Sequence, residues 1–391
     1  MKSKKLLFIN DFKNGGGAEE VIKQTINILK EEYCIKFFYG SKEYKKAKSV
    51  KDYIFSKENH DKLLRYLFTY KPDIIFVANY YHILSPSILA AIKKYKIDRP
   101  YIKVIMTAHD FHILCPNSGF RYFSWFSNKF YNFEKLPSFF DLITKKYDKR
   151  GIHYSLIKQI QWMIAYKFLH LDNVIDIFIS PSEFLASFLK KKYNKNVFVV
   201  RNPLPIADKV ENILRKNKHD ELKLVFIGRV SEEKGLLPFI KHLQNINDIE
   251  YTFTIIGNGE EVKNIKYFVE SHKIDHKIQF KNKIPREEVL KELENYDVLV
   301  LPSLCYENAP LSLVEGAIKG LGLLTMDYGG MKEIAEICGN YYLLKKDYSN
   351  LKEALKFFSR FKPEYNIEEI KNIFSIENYK KNLIDIIEGL K

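Results

Sequence analysis

The feature that most constrains this chain is an alternation that runs along most of its length, in which short β-rich runs are each followed by a longer helical stretch. That pattern belongs to parallel sheets wrapped by helices. In the first half KLLFIN, YCIKFFY, DIIFVAN, YIKVIMTA, DIFIS and NVFVV read as strands, with helices near 18–32, 60–70, 85–96, 155–171 and 183–192. In the second half LKLVFIG, YTFTIIG, KIQF, DVLVLP and GLLTMD read as strands, with helices near 235–246, 260–272, 286–295, 311–319 and 331–337. A chain of 391 residues exceeds the size at which one core stops growing. The expected fold is therefore α/β, with two Rossmann-like, doubly wound parallel-sheet domains.

The segment RNPLPIADKVENILRKNKHDE joins the halves and reads as a linker, because it combines two prolines with dense charge and lacks an apolar period. The domains are expected at 1–202 and 203–364. Residues 365–391 are amphipathic helical material that returns to the first domain. Residues 116–150 interrupt the alternation with aromatics interleaved with basic residues, and read as an insertion: a lid packed on itself, or a flap facing acceptor or membrane.

No apolar run approaches the roughly 20 residues that cross a bilayer, and MKSKKLLFINDF turns polar too early for a secretory signal. The four cysteines are scattered, without the spacing of a disulfide framework or zinc site. A cytoplasmic protein, soluble or peripheral on the inner face of a membrane, is expected. Charge is unevenly placed: residues 1–200 hold 34 Lys and Arg against 18 Asp and Glu, whereas residues 201–391 hold 29 against 30. The first half thus suits an anionic partner, or carries a lysine-rich solvated surface.

Several motifs lie where strands end, the edge at which open α/β sheets bind ligands. Gly16 and Gly17 lie in a glycine turn that opens the first helix, where free N–H groups favour an anion. The turn is not a dinucleotide fingerprint, since Glu20 stands where a third small residue is needed. His109 follows the strand YIKVIMTA. His109 and His112 lack a third metal ligand nearby, and the chain has no Asp-x-Asp, so no metal is expected. Arg229 and Lys234 follow LKLVFIG and suit phosphate oxygens, one as a fork and one as a point charge; the plain alternative is a salt bridge to Glu232 or Glu233. Glu307 precedes a helix opened by Pro310, and Glu315 falls in that helix's second turn.

Glu307 to Glu315, followed by Gly320-Leu-Gly322, Gly329-Gly330 and Glu333-Ile334, resembles the E-x7-E signature of retaining family 4 glycosyltransferases with the GT-B fold. Arg229 and Lys234 resemble that family's diphosphate pair, and TAHDFHILCPN its histidine segment. The resemblance implies a nucleotide-diphospho-sugar donor held mainly by the second domain, an acceptor on the first, reaction across the cleft between them with retention of configuration, and no metal or other cofactor. Glu307 would meet the donor sugar, Glu315 the ribose and His109 the sugar from the opposite wall, with Lys283 and Ile284 at the base. Asn308, Ala309, Pro310 and Leu311 complete the expected donor site, with Gly16 and Gly17. Asn282 and Gly316 depart from the family's usual glycine and alanine.

The implied function is hexose transfer to a glycan or lipid-linked acceptor, in bacterial lipopolysaccharide, O-antigen or capsule synthesis. The competing readings are a nucleotide-sugar epimerase of the same fold, and a basic module binding nucleic acid or anionic membrane. Carboxylates at 307 and 315 oppose the latter, and no nucleic-acid partner is expected.

Overall fold

The structure, a computed structural model, describes residues 4–42, 46–127, 129–204, 221–360 and 367–389. The chain forms two compact units, one of Met1–Pro203 with Ile376–Lys391 and one of Leu204–Ser375. Residues 205–220, most of the expected linker, lie outside the described residues.

The first unit is built on β1 (Lys5–Phe12), β2 (Cys34–Ser41), β3 (Ile74–Val77), β4 (Lys103–Thr107), a hairpin of β5 (Arg121–Phe123) and β6 (Phe130–Asn132), then β7 (Ile177–Ser180) and β8 (Asn196–Val199). Six strands form one parallel sheet in the order β2-β1-β3-β4-β7-β8. All four residues of both β3 and β7 are buried, so these strands carry no polar face and must be covered by helices on both sides.

The second unit contains β9 (Leu222–Ile227), β10 (Tyr251–Ile256), β11 (Ile278–Lys281), β12 (Val298–Leu301), β13 (Gly322–Met326) and β14 (Tyr341–Leu344). They form a second parallel sheet in the order β11-β10-β9-β12-β13-β14. Both units are doubly wound α/β, the fold class that the alternation predicts.

Three details differ from the sequence reading. β14 was not anticipated: YYLL is a short edge strand with only Leu344 buried, which leaves little periodic signal. The insertion is ordered, as the β5–β6 hairpin followed by a helix at Phe139–Thr144; Tyr122 stacks on Tyr131 at 5.4 Å and the Arg121 guanidinium lies 4.6 Å from the Phe130 ring. The sequence predicts a tail that returns as one segment from 365. Instead, helix Ile367–Phe374 stays in the second unit, with Ile370 and Phe374 in its core and the Phe374 carbonyl accepting from the Leu204 N–H at 2.9 Å. The return begins at Ile376.

Helix Ile376–Glu388 joins the first unit by apolar packing. Tyr379, Leu383 and Ile387 enter a core with Leu6, Phe8, Ile22 and Leu29, and the Tyr379 and Thr25 hydroxyls lie 2.8 Å apart. Leu383→Ala should therefore lower stability by about 2–5 kcal/mol. Chemical denaturation reads this directly, and a loss below about 0.5 kcal/mol, the range of surface substitutions, would mean that the tail is not docked.

Candidate functional site

In the second sheet the winding reverses between β9 and β12, so loops leaving these neighbours diverge and open a crevice at the carboxyl edge. Both segments singled out by the sequence leave from there. Gly228 and Arg229 follow β9, and a short 3-10 turn, Glu232–Lys234, precedes helix Leu236–Leu243. Residues 302–310 follow β12 and precede helix Leu311–Ile318.

Backbone packing sets these two loops against each other. Gly235 has φ of 70°, and a Cβ there would lie 2.1 Å from the Pro302 carbonyl oxygen, so the close approach requires glycine. The Leu304 N–H donates to the Glu233 carbonyl at 2.8 Å. From the other side, the Gly330 N–H donates to the Glu307 carbonyl at 2.8 Å, and a Cβ on Gly330 would lie 1.7 Å from the Asn308 carbonyl oxygen.

The result is a contact between side chains 73 positions apart: Lys234 Nζ lies 2.5 Å from Glu307 Oε1. The same oxygen accepts from the Ser303 hydroxyl at 2.7 Å, and the Ser303 carbonyl accepts from the Tyr328 hydroxyl at 2.8 Å. Burial pushes the Lys234 ammonium down, but Glu307 outweighs it and holds the group above the ordinary lysine value. Burial pushes Glu307 up, and Lys234 brings it below the ordinary carboxyl value. Both are therefore charged at neutral pH. A partly buried, hydrogen-bonded pair of this kind is worth more than an exposed one.

The remaining expected donor residues divide. Arg229 is exposed and its guanidinium pairs with Glu233, the local salt bridge foreseen as the alternative. Asn308, Ala309, Pro310 and Leu311 line the approach to the helix, whose first free N–H groups favour negative charge, and Glu315 is buried within that helix. Lys283 and Ile284 follow β11, which β10 separates from β9; Lys283 is exposed and Ile284 packs against the core. Ser303 orients Glu307 and Tyr328 holds Ser303, a part for which Tyr328 carries no local sequence signal.

The first sheet reverses between β1 and β3. Asp11, the penultimate residue of β1, accepts from the N–H groups of His82, Ile83 and Leu84 at 2.7, 2.9 and 2.8 Å. His109 and Asp110 leave β4. Asp110 accepts from the Tyr81 hydroxyl and from the His112 N–H at 2.8 Å, and the Tyr81 ring stacks on His112 at 3.7 Å. Burial pushes His109 down to about 4 and Asp110 up to about 6. Gly16 caps helix Gly17–Leu29, its N–H donating to Glu19 at 2.7 Å, and a Cβ on Gly17 would meet nothing within 4 Å.

A cavity of about 530 Å³ adjoins this edge, lined by Phe12, Tyr53 and His82 with the cations Lys46, Arg150 and Lys158. Asp11 is not among the site residues that the sequence singles out, although a carboxylate near the end of a mainly apolar strand is a usable signal. Among the described residues, no three His, Cys, Asp or Glu side chains gather as metal ligands would.

Residues 208–372 match the family described as Glycosyl transferases group 1. The second unit is a group 1 glycosyltransferase domain. The whole chain has the GT-B fold: it superposes on the lipopolysaccharide outer core galactosyltransferase WaaB with a TM-score of 0.64 at 16% identity, covering 98% of this chain and 99% of that one. It also superposes on Anabaena HepE in complex with UDP-glucose, with a TM-score of 0.62 at 12% identity, over 98% of this chain and 99% of the other. The amylovoran biosynthesis glycosyltransferase AmsK of Erwinia amylovora is 26% identical over 130 residues, 32% of each protein. The chain thus spans about a third of that curated relative's length. In the group 1 domain the Lys234–Glu307 contact lies at the reversal of strand order.

The depressed His109 value makes a prediction in the first unit. Its folded value lies below the unfolded one, so the neutral ring contributes stability that is complete above pH ~6.5 and is lost as pH falls through about 4. Nuclear magnetic resonance of the imidazole should show a neutral ring from pH 8 to below 5, whereas a midpoint near 6.5 would contradict the burial argument.

Proposed function

We propose that this chain is a retaining, metal-independent glycosyltransferase that moves a hexose-type sugar from a nucleotide-diphospho-sugar to a glycan or lipid-linked acceptor. The setting is bacterial surface polysaccharide synthesis on the cytoplasmic face of the membrane. One observation carries the reading: a paired ammonium and carboxylate, both charged, at the β9/β12 reversal of the group 1 domain. The names of the similar proteins support it, since AmsK is named for amylovoran biosynthesis, WaaB for lipopolysaccharide, and HepE was crystallised with UDP-glucose.

In this reading Lys234 meets an oxygen of the donor diphosphate. Arg229 leaves Glu233 to grip a second oxygen bidentately. Glu307 accepts from sugar hydroxyls, Glu315 from the ribose, and the backbone at Lys283 and Ile284 meets the base. Asn308 to Leu311 present the helix start to the phosphates.

The acceptor hydroxyl oxygen bonds to the anomeric carbon on the face from which the phosphate leaves. The old C–O bond breaks with its electron pair staying on the nucleotide diphosphate, and that phosphate takes the hydroxyl proton. Lys234, and Arg229 once it has turned from Glu233 to the bound diphosphate, stabilise the charge that develops in the reaction. The neutral imidazole of His109 is assigned to the sugar, and the glycine turn Gly16-Gly17 to the donor.

Nucleoside diphosphates and their hexose conjugates should raise the melting temperature. At 100 times Kd the stabilisation is about 2.7 kcal/mol, or several degrees for domains of this size. Glu307→Gln should keep the nucleotide shift and lose transfer by at least roughly 100-fold, the scale of lost transition-state contacts; chelator should leave transfer unchanged. No shift with any nucleotide, or undiminished transfer by Glu307→Gln, would reject the donor site. Donor turnover with no acceptor would instead favour an epimerase.

A further inference from the structure

The insertion that breaks the sheet pattern, with the helix that follows it, builds a surface to which the donor reading assigns no residue. Helix Phe139–Thr144 and helix Ile152–Met163 are clamped together by one amide: Gln159, buried, donates to the carbonyls of Leu142 at 3.0 Å and Lys145 at 2.9 Å. The Tyr147 N–H donates to Ser155 at 2.7 Å and fixes the turn between them.

With their polar groups joined, both helices turn large apolar side chains to solvent. Phe139 is 60% exposed, Phe140 72% and Ile143 51%. Ile152, Leu156 and Ile160, four residues apart and so on one face of their helix, are also exposed, flanking the side on which Gln159 makes its contacts. Six exposed apolar side chains on two helices joined by one amide are more than singly scattered surface residues give.

The charge around the patch selects its partner. Residues 121–170 contain nine Lys and Arg against three Asp and Glu. Of these, Lys135, Lys149, Arg150 and Lys167 are exposed, whereas the buried Asp148 is occupied by Arg150 at 2.8 Å and Lys158 at 3.0 Å. Protein-binding faces are depleted in lysine relative to the rest of a protein surface. Aromatic and aliphatic side chains interleaved with lysines fit a bilayer surface, where the rings enter the headgroup region and each cation adds about 1 kcal/mol against anionic lipid.

We infer that this two-helix platform docks the protein onto an anionic bilayer, with Phe139, Phe140, Ile143, Ile152, Leu156 and Ile160 entering the interface. Docking of this kind holds the enzyme at the surface where a lipid-linked acceptor resides. The inference uses only the first unit and does not depend on the donor site being correctly assigned.

The test is co-sedimentation of the full chain with vesicles of phosphatidylcholine alone and of phosphatidylcholine with 30% phosphatidylglycerol. Binding should require the anionic lipid, weaken at least several-fold in 0.5 M salt, and fall at least tenfold in a Phe140→Ser/Ile143→Ser variant and in a Leu156→Ser/Ile160→Ser variant. The nucleotide-induced melting shift, measured on the same samples, reports folding and the donor site separately. Wild-type protein that ignores anionic vesicles, or folded variants that bind them as wild type does, would overturn the inference. So would a wild-type dimer that the same substitutions convert to monomer, since the patch would then be covered by a second copy.

Discussion

The ion pair between Lys234 and Glu307 depends on more of the second unit than any other contact in the site. A lysine after β9 and a glutamate after β12 meet at 2.5 Å only because those strands are neighbours in the sheet while their loops leave toward opposite faces. The loops can touch because Gly235 has no Cβ to strike Pro302, and because Gly330 lets a helix start press on Asn308. Ser303 then holds the carboxylate oxygen that faces the lysine. Topology brings the groups near, glycines permit the approach, and the hydroxyl sets the geometry. Each group also keeps the other charged, which a site for phosphate and hydroxyls requires.

The first unit uses its own reversal differently. Asp11 is spent on three backbone N–H groups of the segment after β3, and Asp110 on Tyr81 and His112, so these carboxylates shape the edge and carry little free charge outward. The cations lie beside them, in the cavity lined by Lys46, Arg150 and Lys158 and on the surface of the insertion. Arg150 and Lys158 share the carboxylate of Asp148, whereas Lys135, Lys149 and Lys167 lie exposed on the insertion and the helix region after it, where part of the first half's excess positive charge is carried.

Much of this was legible in the sequence, for identifiable reasons. Parallel strands are buried on both faces, so runs such as DIIFVAN and DVLVLP stand out without alignment to anything. Glu307 and Lys234 were legible because strand ends and a proline-opened helix marked their positions. What the sequence hid was pairing at a distance. Arg229 had equal chemical reasons to face a phosphate or Glu233, and only the turn geometry decides that Glu233 holds it here. The tail helices share one amphipathic pattern, yet Phe374 buries in one unit and Tyr379 in the other. Tyr328 could not be assigned to Ser303, 25 residues away, from any local signal.

The most direct measurement is a crystal structure of the protein with an intact nucleotide-diphospho-sugar. The account predicts a diphosphate oxygen within hydrogen-bond reach of Lys234 Nζ, about 2.7–3.2 Å, a sugar hydroxyl on Glu307, and the Arg229 guanidinium swung from Glu233 to phosphate. A donor bound with its diphosphate away from Lys234, while the Lys234–Glu307 pair stays closed on itself, would contradict it.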